Sequence, residues 1–468
     1  MSAPKLYHVL PDPLRCVIAS LRGWQLRRQR YGRHTERLVQ EALAREHWTA
    51  SQWRAWQTEG VGRLLDRAVT QVPYYREQWA ARRRRGDDSP WEELGNWPVL
   101  EKETVRQQPR RFLAEDLMSA RLAKTHTSGS TGTPLTLWNT RQGDRFWYAL
   151  FEARCRVWYG ASRRDRWAIF GGQLVSPVSR RRPPFWVWNA ALSQLYMSTY
   201  HLAPDLIPYY LDALIRYRVR YVLGYPSALH LLAQTALQKQ RNDLQFQVVI
   251  ANAEPLYEHQ RSAIAEAFHC PVRETYGMSE RVAAASECEH GRLHLWPDAG
   301  IVEVLNGSSP VNAGGVGDLV CTGLVNTAMP LIRYRVGDRG TMDASGSECP
   351  CARTLPRLAK IEGRSDDVLC THDGRRIGRL DPVFKAGWPI REAQVIQESL
   401  DAIRVRLVPS DGFDDAIQGE VTRELRARLG NVKVVFEIVE EIPRGANGKF
   451  RSVICNLPAT SATSGRVS

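Results

Sequence analysis

The sequence predicts an α/β protein with a large, multi-layered N-terminal domain built on sheets rich in parallel strands, and a small C-terminal α+β domain. From Leu122 onward, short β-forming runs alternate with helical stretches, which is typical of parallel sheets covered by helices. After Asp367 a strand, strand, helix, strand pattern of about 90 residues begins, and this length suits a separate small domain.

The composition is that of a globular protein. Of the 468 residues, 43% are apolar and 24% are charged, and no run is long and apolar enough to form a transmembrane helix. The N-terminal residues lack an export signal, so we expect a cytoplasmic protein. Nine cysteines in a chain of this length do not indicate a secreted disulfide framework, which leaves metal binding or free thiols.

The first hundred residues are predicted to be mostly helical and rich in arginine. Apolar residues recur at helical spacing from Leu14 to Arg45 and from Gln52 to Val72. The formal net charge is +14, and only eight of the 64 basic residues are lysine. An arginine-rich helix face suits either plain solvation or peripheral contact with a membrane surface, and it consists of Arg22, Arg27, Arg28, Arg30 and Arg33.

The elements can be assigned in order along the chain. A surface turn is predicted at 82–90. Strands are predicted at 135–138, 221–223, 248–250 and 319–321, with helices at 204–218, 227–241 and 258–268. In the small domain we expect strands at 393–399, 403–408 and 432–439 and a helix at 414–429. The predicted domains are therefore 1–366 and 367–455, followed by a flexible tail at 456–468.

The strongest functional motif is THTSGSTGTP, from Thr125 to Pro134. Six hydroxyl side chains and two glycines crowd ten positions. Glycine lets backbone amides turn towards an anion and hydroxyl groups add donors, so such a loop can wrap phosphate groups. It is not a Walker loop, because no Gly-Lys-Ser/Thr follows at the required spacing. A plain surface loop is the alternative for this segment taken alone.

Together with this loop, four later segments resemble the motifs of adenylate-forming ligases, in the order of that superfamily. They are Tyr276 to Glu280 (YGMSE), Arg333 to Asp338 (RYRVGD), Gly363 to Asp367 (GRSDD) and Pro443 to Arg451 (PRGANGKFR). The segments VPYYREQW (72–79) and PVLEKETVR (98–106) are similar to the phenylacetate-coenzyme A ligase-like, CapK-type branch, which is associated with capsular polysaccharide clusters. The resemblance spans 72–454 and implies an adenylation domain followed by a small domain that rotates on a hinge.

The resemblance implies a nucleotide site for ATP and Mg²⁺. Glu280 would ligate the Mg²⁺ ion and Asp338 would accept hydrogen bonds from the ribose. The adenine would lie near Tyr276 and Gly277 on one side and Glu254 on the other, although the family usually has glycine in the segment Asn252-Ala253-Glu254. The β- and γ-phosphates would be held by Thr127, Ser128, Gly129, Ser130, Thr131, Gly132 and Thr133.

Three further roles follow from the last two motifs. Lys449 would be the adenylation lysine, whose ammonium reaches the carboxylate and the α-phosphate. Arg364 would approach the ribose or phosphates, and Asp366 would be the hinge residue. Judged from the residues alone, Lys449 is an exposed lysine on a turn, and Asp338 and Asp366 are turn caps.

The acyl pocket is predicted from its position relative to the motifs, at 170–174, near His201 and at Tyr225 to Ser227, with Tyr225 and Ser227 as lining residues. His201 would contact a carboxylate or belong to the core. The residues do not identify the acid.

Coenzyme A is the implied acceptor, and a polysaccharide-linked hydroxyl or amine or a carrier-protein thiol is the alternative. No nucleic-acid-binding module is recognised; the alternative function is a non-catalytic nucleotide-binding scaffold of polysaccharide assembly.

A second set of candidate ligands combines cysteine and histidine. Cys288, Cys349 and Cys351 with His294 or His290 would close a tetrahedral Zn²⁺ site, which indicates a structural rather than a catalytic metal. His294 is preferred because 292–295 alternates like a strand. The resemblance supports the site, since some phenylacetate ligase-like proteins carry zinc at corresponding places. Buried free thiols are the alternative.

Overall fold

The computed structural model describes residues 7, 9–118, 121–127, 135–177, 179–362, 369–377, 380, 383, 388–409, 412–440, 442 and 453–457. The helices in these ranges are α1 (Asp12–Arg30), α2 (Thr35–Arg45), α3 (Ala50–Gln71), α4 (Pro73–Arg84), α5 (Lys102–Gln107), α6 (Arg141–Cys155), α7 (Ile207–Arg216), α8 (Pro226–Gln238), α9 (Glu258–Phe268) and α10 (Asp415–Leu429).

The strands are β1 (Ala123–His126), β2 (Thr136–Asn139), β3 (Trp167–Gly171), β4 (Trp186–Asn189), β5 (Gln194–Ser198), β6 (Tyr221–Gly224), β7 (Val248–Asn252), β8 (Val272–Gly277), β9 (Ala284–Glu287), β10 (Leu293–Leu295), β11 (Gly300–Asn306), β12 (Ser309–Pro310), β13 (Gly317–Gly323), β14 (Tyr334–Met342), β15 (Arg357–Glu362), β16 (Leu369–Cys370), β17 (Arg376–Ile377), β18 (Ile390–Gln397), β19 (Ala402–Pro409), β20 (Lys433–Ile438) and β21 (Val453–Cys455).

Most strands form one 13-stranded sheet, in the order β12-β11-β13-β14-β15-β10-β9-β8-β7-β6-β3-β5-β4. Pairing is parallel from β5 through β3, β6 and β7 to β8, and antiparallel elsewhere in this sheet. Parallel neighbours need a crossover connection, and α7, α8 and α9 supply one after each of β5, β6 and β7. The α/β class is confirmed, and the predicted parallel pairing is confined to this part of the sheet.

The helical N-terminal region is divided where one continuous pattern was predicted. Helix α1 ends at Arg30 and α2 begins at Thr35, whose Oγ1 accepts a hydrogen bond from the Gly32 amide at 2.8 Å. Helix α4 extends into the predicted turn at 82–90, which therefore begins only after Arg84. Among the described residues, no helix combines the length and apolar character needed to cross a bilayer.

The C-terminal part forms a four-stranded sheet in the order β20-β19-β18-β21, with α10 as its helix. The Asp414 carboxylate caps α10 by accepting a hydrogen bond from the Ile417 amide at 2.9 Å, as expected for a helix N-cap. The core of this part also contains the ring of Tyr200 from the chain segment after β5. The Tyr200 carbonyl accepts a hydrogen bond from Arg375 Nη1 at 2.7 Å.

Candidate functional site

Several of the predicted site residues lie at the carboxyl ends of the parallel strands of the large sheet. In the parallel register Phe170 pairs with Gly224, Gly224 with Ala251, and Asn252 with Thr275, so β3, β6, β7 and β8 end at the same level. Open α/β sheets bind ligands at the carboxyl ends of their parallel strands. Tyr276 and Gly277 lie at the end of β8. The segments after β6, β7 and β8 carry Tyr225, Ser227, Glu254 and Glu280, so residues predicted for both subsites lie at this edge.

The predicted phosphate loop follows β1 and precedes β2 in the sequence, and these two strands form an antiparallel pair separate from the large sheet. The Thr127 amide donates to the Leu135 carbonyl at 3.0 Å, and the Leu135 amide donates to Thr127 Oγ1 at 2.9 Å. These two bonds close the base of the loop. Thr127 is buried, and its hydroxyl oxygen accepts this bond.

Several predicted residues lie outside the described residues, and their roles therefore remain predictions. In the phosphate loop these are Ser128, Gly129, Ser130, Thr131, Gly132 and Thr133. In the later motifs they are Arg364, Asp366 and Lys449. The chain on either side of the Lys449 motif is described, since Ile442 is buried and β21 pairs in parallel with β18. The predicted domain boundary at residue 366 also falls outside the described residues and stays a prediction.

Glu280 is a buried carboxylate paired with a lysine that sequence analysis did not single out. Glu280 Oε1 accepts hydrogen bonds from Lys102 Nζ at 3.1 Å and from the Tyr334 hydroxyl at 3.0 Å. Burial raises the pKa of the Glu280 carboxyl, but the charge of Lys102 and these hydrogen bonds outweigh burial and hold the pKa below its ordinary value. The carboxylate is therefore ionised at neutral pH, which is the form that binds Mg²⁺.

Lys102 could have been found in the sequence, since it is one of only eight lysines and lies in the segment PVLEKETVR. Its position near Glu280 depends on tertiary structure: Leu100 forms a parallel bridge with Tyr334, which brings the start of α5 to the sheet. The 178 residues between Lys102 and Glu280 hide this contact from any local pattern.

Tyr276 and Asp338 are joined by a hydrogen bond between two predicted motifs. The Tyr276 hydroxyl donates to Asp338 Oδ2 at 2.9 Å, across 62 residues of sequence. Tyr276 lies on β8 and Asp338 on β14, and Gly277 ends β8 where it pairs with Ala284 of β9. A phenol ring and a carboxylate are therefore adjacent. A nucleoside site uses such a pair, the ring beside the base and the carboxylate as hydrogen-bond acceptor for the ribose.

The segment after β7 explains the glycine that the family usually has there. Ala253 has φ +65°, a left-handed conformation that glycine adopts without strain and alanine does not. Glu254 Oε2 accepts a hydrogen bond from the Ser227 amide at 3.1 Å, at the start of α8. Glu254 and Ser227, predicted for two different subsites, are therefore in contact. Asn252 Oδ1 is buried and has no hydrogen-bond partner among the described residues.

His201 is buried in the core, which is one of the two placements that the sequence left open. Its Nε2 lies 2.8 Å from the Pro177 carbonyl oxygen and its Nδ1 lies 3.2 Å from Ser198 Oγ. The ring stacks on Phe185 with centroids 4.9 Å apart. Burial lowers the pKa of the His201 imidazole to about 4, so it is neutral at physiological pH. Tyr225, at the end of β6, packs against the same hydrophobic core.

Cys288, His294, Cys349 and Cys351 converge, with all four ligand atoms within 4.8 Å of one another. The sulfur atoms of Cys288 and Cys349 are 3.7 Å apart, and Cys351 Sγ lies 3.4 Å from His294 Nε2. Tetrahedral zinc with Zn–S bonds of about 2.3 Å sets its sulfur ligands roughly 3.8 Å apart, whereas a disulfide needs about 2.0 Å. The four residues therefore fit zinc. His290 is exposed and lies outside the cluster.

The surroundings orient the ligands of this cluster. His294 Nδ1 lies 3.2 Å from the Leu355 carbonyl oxygen, which leaves Nε2 on the side of the sulfur atoms. Burial lowers the pKa of the His294 imidazole to about 4, so this ring is neutral, as a metal ligand must be. Burial also raises the pKa of the Cys288 thiol, to about 12. Strand β9 begins opposite Gly277 and leads to Cys288, so the cluster lies at the far end of β9 from the nucleotide motifs.

The chain is similar in sequence to several known proteins. The sequence model of the CapK C-terminal domain family matches residues 369–456. Protein CapK of Staphylococcus aureus is 26% identical over 373 residues, covering 78% of this chain and 80% of that protein. A phenylacetate-coenzyme A ligase of Pseudomonas putida is 26% identical over 357 residues, covering 68% and 71%.

Among solved structures, 2-hydroxyisobutyryl-CoA ligase in complex with 2-HIB-AMP and CoA, in the thioesterification state, has the same fold. The TM-score is 0.55 at 22% identity, and the match covers 88% of this chain and 91% of that one. The same ligase in the postadenylation state gives a TM-score of 0.51 at 19% identity, covering 88% and 92%. The predicted large domain with a small C-terminal domain is therefore confirmed as a fold.

Proposed function

We propose that the chain, which is similar to CapK and to the phenylacetate-coenzyme A ligases, is an adenylate-forming ligase that activates a carboxylic acid with ATP and transfers the acyl group to coenzyme A. One observation carries the proposal. The ionised Glu280 and the hydrogen-bonded Tyr276–Asp338 pair come from different parts of the sequence, and both agree with what an ATP·Mg²⁺ site needs.

The described residues fit the nucleotide. Glu280 would ligate Mg²⁺ through its ionised carboxylate, which Lys102 and Tyr334 hold in place. Asp338 would accept hydrogen bonds from the ribose hydroxyls beside the Tyr276 ring. The buried Asn252 Oδ1, which lacks a partner among the described residues, would accept a hydrogen bond from the adenine amino group. Thr127 and the loop that follows it would hold the β- and γ-phosphates.

The proposed reaction proceeds in two steps. A carboxylate oxygen of the acid attacks the α-phosphorus of ATP, the bond to the β-phosphate bridging oxygen breaks, and pyrophosphate leaves. Negative charge develops on both phosphate groups, so cations close to these groups lower the barrier of the reaction. Lys449, Arg364 and Mg²⁺ would be these cations. The coenzyme A thiolate then attacks the acyl carbonyl carbon and AMP leaves. Rotation about Asp366 would exchange the small-domain residues between the steps.

Coenzyme A is the proposed acceptor because the ligases to which this chain is similar are named for it. The formal net charge of +14 agrees with an anionic partner of this kind. A role in forming a capsular or extracellular polysaccharide is part of the proposal through the likeness to CapK. A cytoplasmic location is also proposed, because ATP and coenzyme A are available there.

We further propose that Cys288, His294, Cys349 and Cys351 hold one structural Zn²⁺ ion. When bound, the ion would tie the β9–β10 turn to the turn that precedes β15. The ligands leave no open position, so the ion would stabilise the fold and take no part in the reaction.

The proposal is tested by pyrophosphate release from ATP·Mg²⁺ with a panel of aryl, fatty and hydroxy acids, with and without coenzyme A. We expect release that depends on one class of acid and increases with coenzyme A. Lys449→Ala should slow acyl-AMP formation roughly hundredfold or more, since a positioned cation at the developing charge is lost. The matched control Lys433→Ala, at an exposed position of β20, should retain the native rate.

Two results would count against this proposal. If the chain binds ATP but releases no pyrophosphate with any acid, the non-catalytic scaffold would replace the ligase. If Lys449→Ala forms acyl-AMP at the native rate, Lys449 is not the adenylation lysine, even where the ligase activity itself is found.

A further inference from the structure

Helix α1 presents its large apolar side chains to solvent. Leu14, Val17, Ile18, Leu21 and Trp24 have 42% to 62% of their surface exposed. The first four are spaced i, i+3, i+4 and i+7, which places them on one face of the helix, and Trp24 continues this stripe. Contiguous exposed apolar side chains of this kind mark a surface that meets a partner.

The opposite side of α1 uses small residues to approach the sheet. The Trp188 amide donates to Cys16 Sγ at 3.4 Å and the Ala190 amide donates to Ser20 Oγ at 3.0 Å. A Cβ atom at Gly23 would lie 2.0 Å from Asn189 Oδ1, so a larger side chain does not fit without rearrangement. A helix that served only to cover β4 would turn its Leu and Trp side chains inward. In α1, the side chains of Leu14, Leu21 and Trp24 are instead exposed to solvent.

Arginine borders the apolar stripe. Arg22 lies between Leu21 and Trp24 and is exposed, and so is Arg28. The Arg28 guanidinium carbon lies 4.6 Å from the centroid of the Trp24 ring, which joins the cationic end of α1 to the apolar stripe. Of the 19 residues of α1, only Asp12 is acidic. The outer side of α1 therefore combines apolar area with positive charge.

Nearby acidic groups are already neutralised by arginine. Asp12 forms ion pairs with Arg15 and Arg180, the latter at 2.7 Å. Asp144 pairs with Arg281 and accepts a hydrogen bond from Gln29 Nε2 at 2.6 Å. The positive charges of Arg22 and Arg28 are consequently not cancelled by these two carboxylates.

We propose that the outer face of α1, meaning Leu14, Val17, Ile18, Leu21 and Trp24 with Arg22 and Arg28, binds the surface of a membrane that contains anionic lipid. The helix would lie in the plane of the interface, with its apolar side chains at the boundary of the acyl chains and its guanidinium groups on lipid phosphates. An indole ring beside a cationic group is suited to this boundary. The chain would thus be held at a membrane without crossing it.

A second copy of the chain is the competing occupant, and charge disfavours it. In a two-fold symmetric contact the same surface meets itself, so Arg22 and Arg28 would face arginines of the other copy without acidic partners on α1. An anionic lipid surface satisfies the apolar stripe and the arginines together. This charge complementarity decides between the two occupants.

The test is co-sedimentation of the full chain with vesicles of phosphatidylcholine, with or without phosphatidylglycerol. We expect binding to the anionic vesicles that weakens as salt is added, and much weaker binding to phosphatidylcholine alone. Replacing Arg22 and Arg28 by Gln should weaken binding about fivefold for each arginine. Val17→Gln with Leu21→Gln should weaken it by roughly tenfold or more, because apolar area no longer enters the interface.

Matched controls separate this face from general surface effects. Ile438→Gln replaces an apolar side chain that is 51% exposed on β20, and Arg84→Gln removes an exposed arginine at the end of α4. Both controls should bind vesicles like the native chain. Near-ultraviolet circular dichroism and the ATP-dependent activity should be unchanged in the α1 variants, since every substituted position is exposed.

Three results would overturn the proposal. Absence of native binding to the anionic vesicles removes the membrane surface as the partner. Equal binding of the α1 variants and the native chain places membrane contact elsewhere on the molecule. A native dimer that becomes monomeric when Val17 and Leu21 are replaced, measured by sedimentation velocity, assigns the face to a second copy of the chain.

Discussion

Replacing Lys102 by methionine tests whether the protein itself sets the charge of Glu280. The two side chains are 19% and 6% exposed, and Lys102 Nζ lies 3.1 Å from Glu280 Oε1. Removing one partner of a buried ion pair costs about 3–5 kcal/mol, because the other charge is left buried and uncompensated. Since Lys102 keeps some contact with water, we expect Lys102→Met to lower the free energy of unfolding by about 3 kcal/mol at pH 7.

The pH dependence of this loss has a definite sign. The folded-state pKa of Glu280 lies below the ordinary value of 4.5, so the ion pair stabilises the fold above that pH and its contribution disappears as the pH falls through the folded-state pKa. In Lys102→Met, burial raises this pKa instead. The difference in stability between the variant and the native chain should therefore be large at pH 7 and small in acid.

The assay is urea unfolding followed by tryptophan fluorescence, without nucleotide, for Lys102→Met, Glu280→Gln and the double variant. The coupling free energy from this cycle should be about 2–3 kcal/mol. Lys124→Met, at an exposed position of β1, is the matched control and should change stability by less than about 0.5 kcal/mol. A coupling below about 0.5 kcal/mol, the level of an exposed pair, would refute the reasoning about Glu280.

Three further predictions concern other parts of the molecule. Purified chain should carry about one zinc ion, measured by elemental analysis, and Cys349→Ser should lose it while Cys455→Ser keeps it. Ala253→Gly should raise the free energy of urea unfolding by about 1 kcal/mol, because it relieves the left-handed conformation at φ +65°. For His201, the pKa is about 4 when folded and about 6.5 when unfolded, so the unfolded chain takes up the proton first as the pH falls. Relative to His201→Gln, the native chain should therefore lose about 3 kcal/mol of stability between pH 7 and pH 4.

Each of these predictions has a result that contradicts it. Chain purified under reducing conditions without chelators and found free of metal would leave the cysteines as free thiols. Equal or lower stability of Ala253→Gly would mean that the φ of this residue carries no strain. Parallel pH profiles for the native chain and His201→Gln would mean that the imidazole titrates normally in the folded chain.

Local sequence patterns predicted helices and strands well where the spacing of apolar residues matches the face that is buried. Helix α9 has the predicted bounds, and α10 begins one residue after the predicted start because Asp414 is its cap. The antiparallel pairing in the large sheet was not predicted, since strands such as β9 and β10 are short and carry no crossover helix to mark their direction. The break between α1 and α2 was hidden because apolar spacing continues on both sides of Gly32.

The candidate site was predictable where a single segment carries the chemistry. Glu280, Tyr276 and Asp338 came from motifs, and the cysteine cluster came from ligand types. The partners of these residues were not predictable, because the contacts of Lys102 with Glu280 and of Glu254 with the Ser227 amide depend on which strands are neighbours in the sheet. The sequence could not decide between the two placements of His201, because distance from a motif does not show that both ring nitrogens are engaged by the protein.

The position of Tyr200 limits how freely the C-terminal unit can be exchanged between relatives. Its ring fills part of that unit's core beside Leu369, while its hydroxyl donates to the Gly172 carbonyl at 3.1 Å. Arg375 Nη1 bonds the carbonyls of both Tyr200 and Arg428. A chimera that takes residues 369–456 from a related protein would replace the residues that surround the Tyr200 ring, so we expect it to fold best when the segment around Tyr200 is exchanged with them.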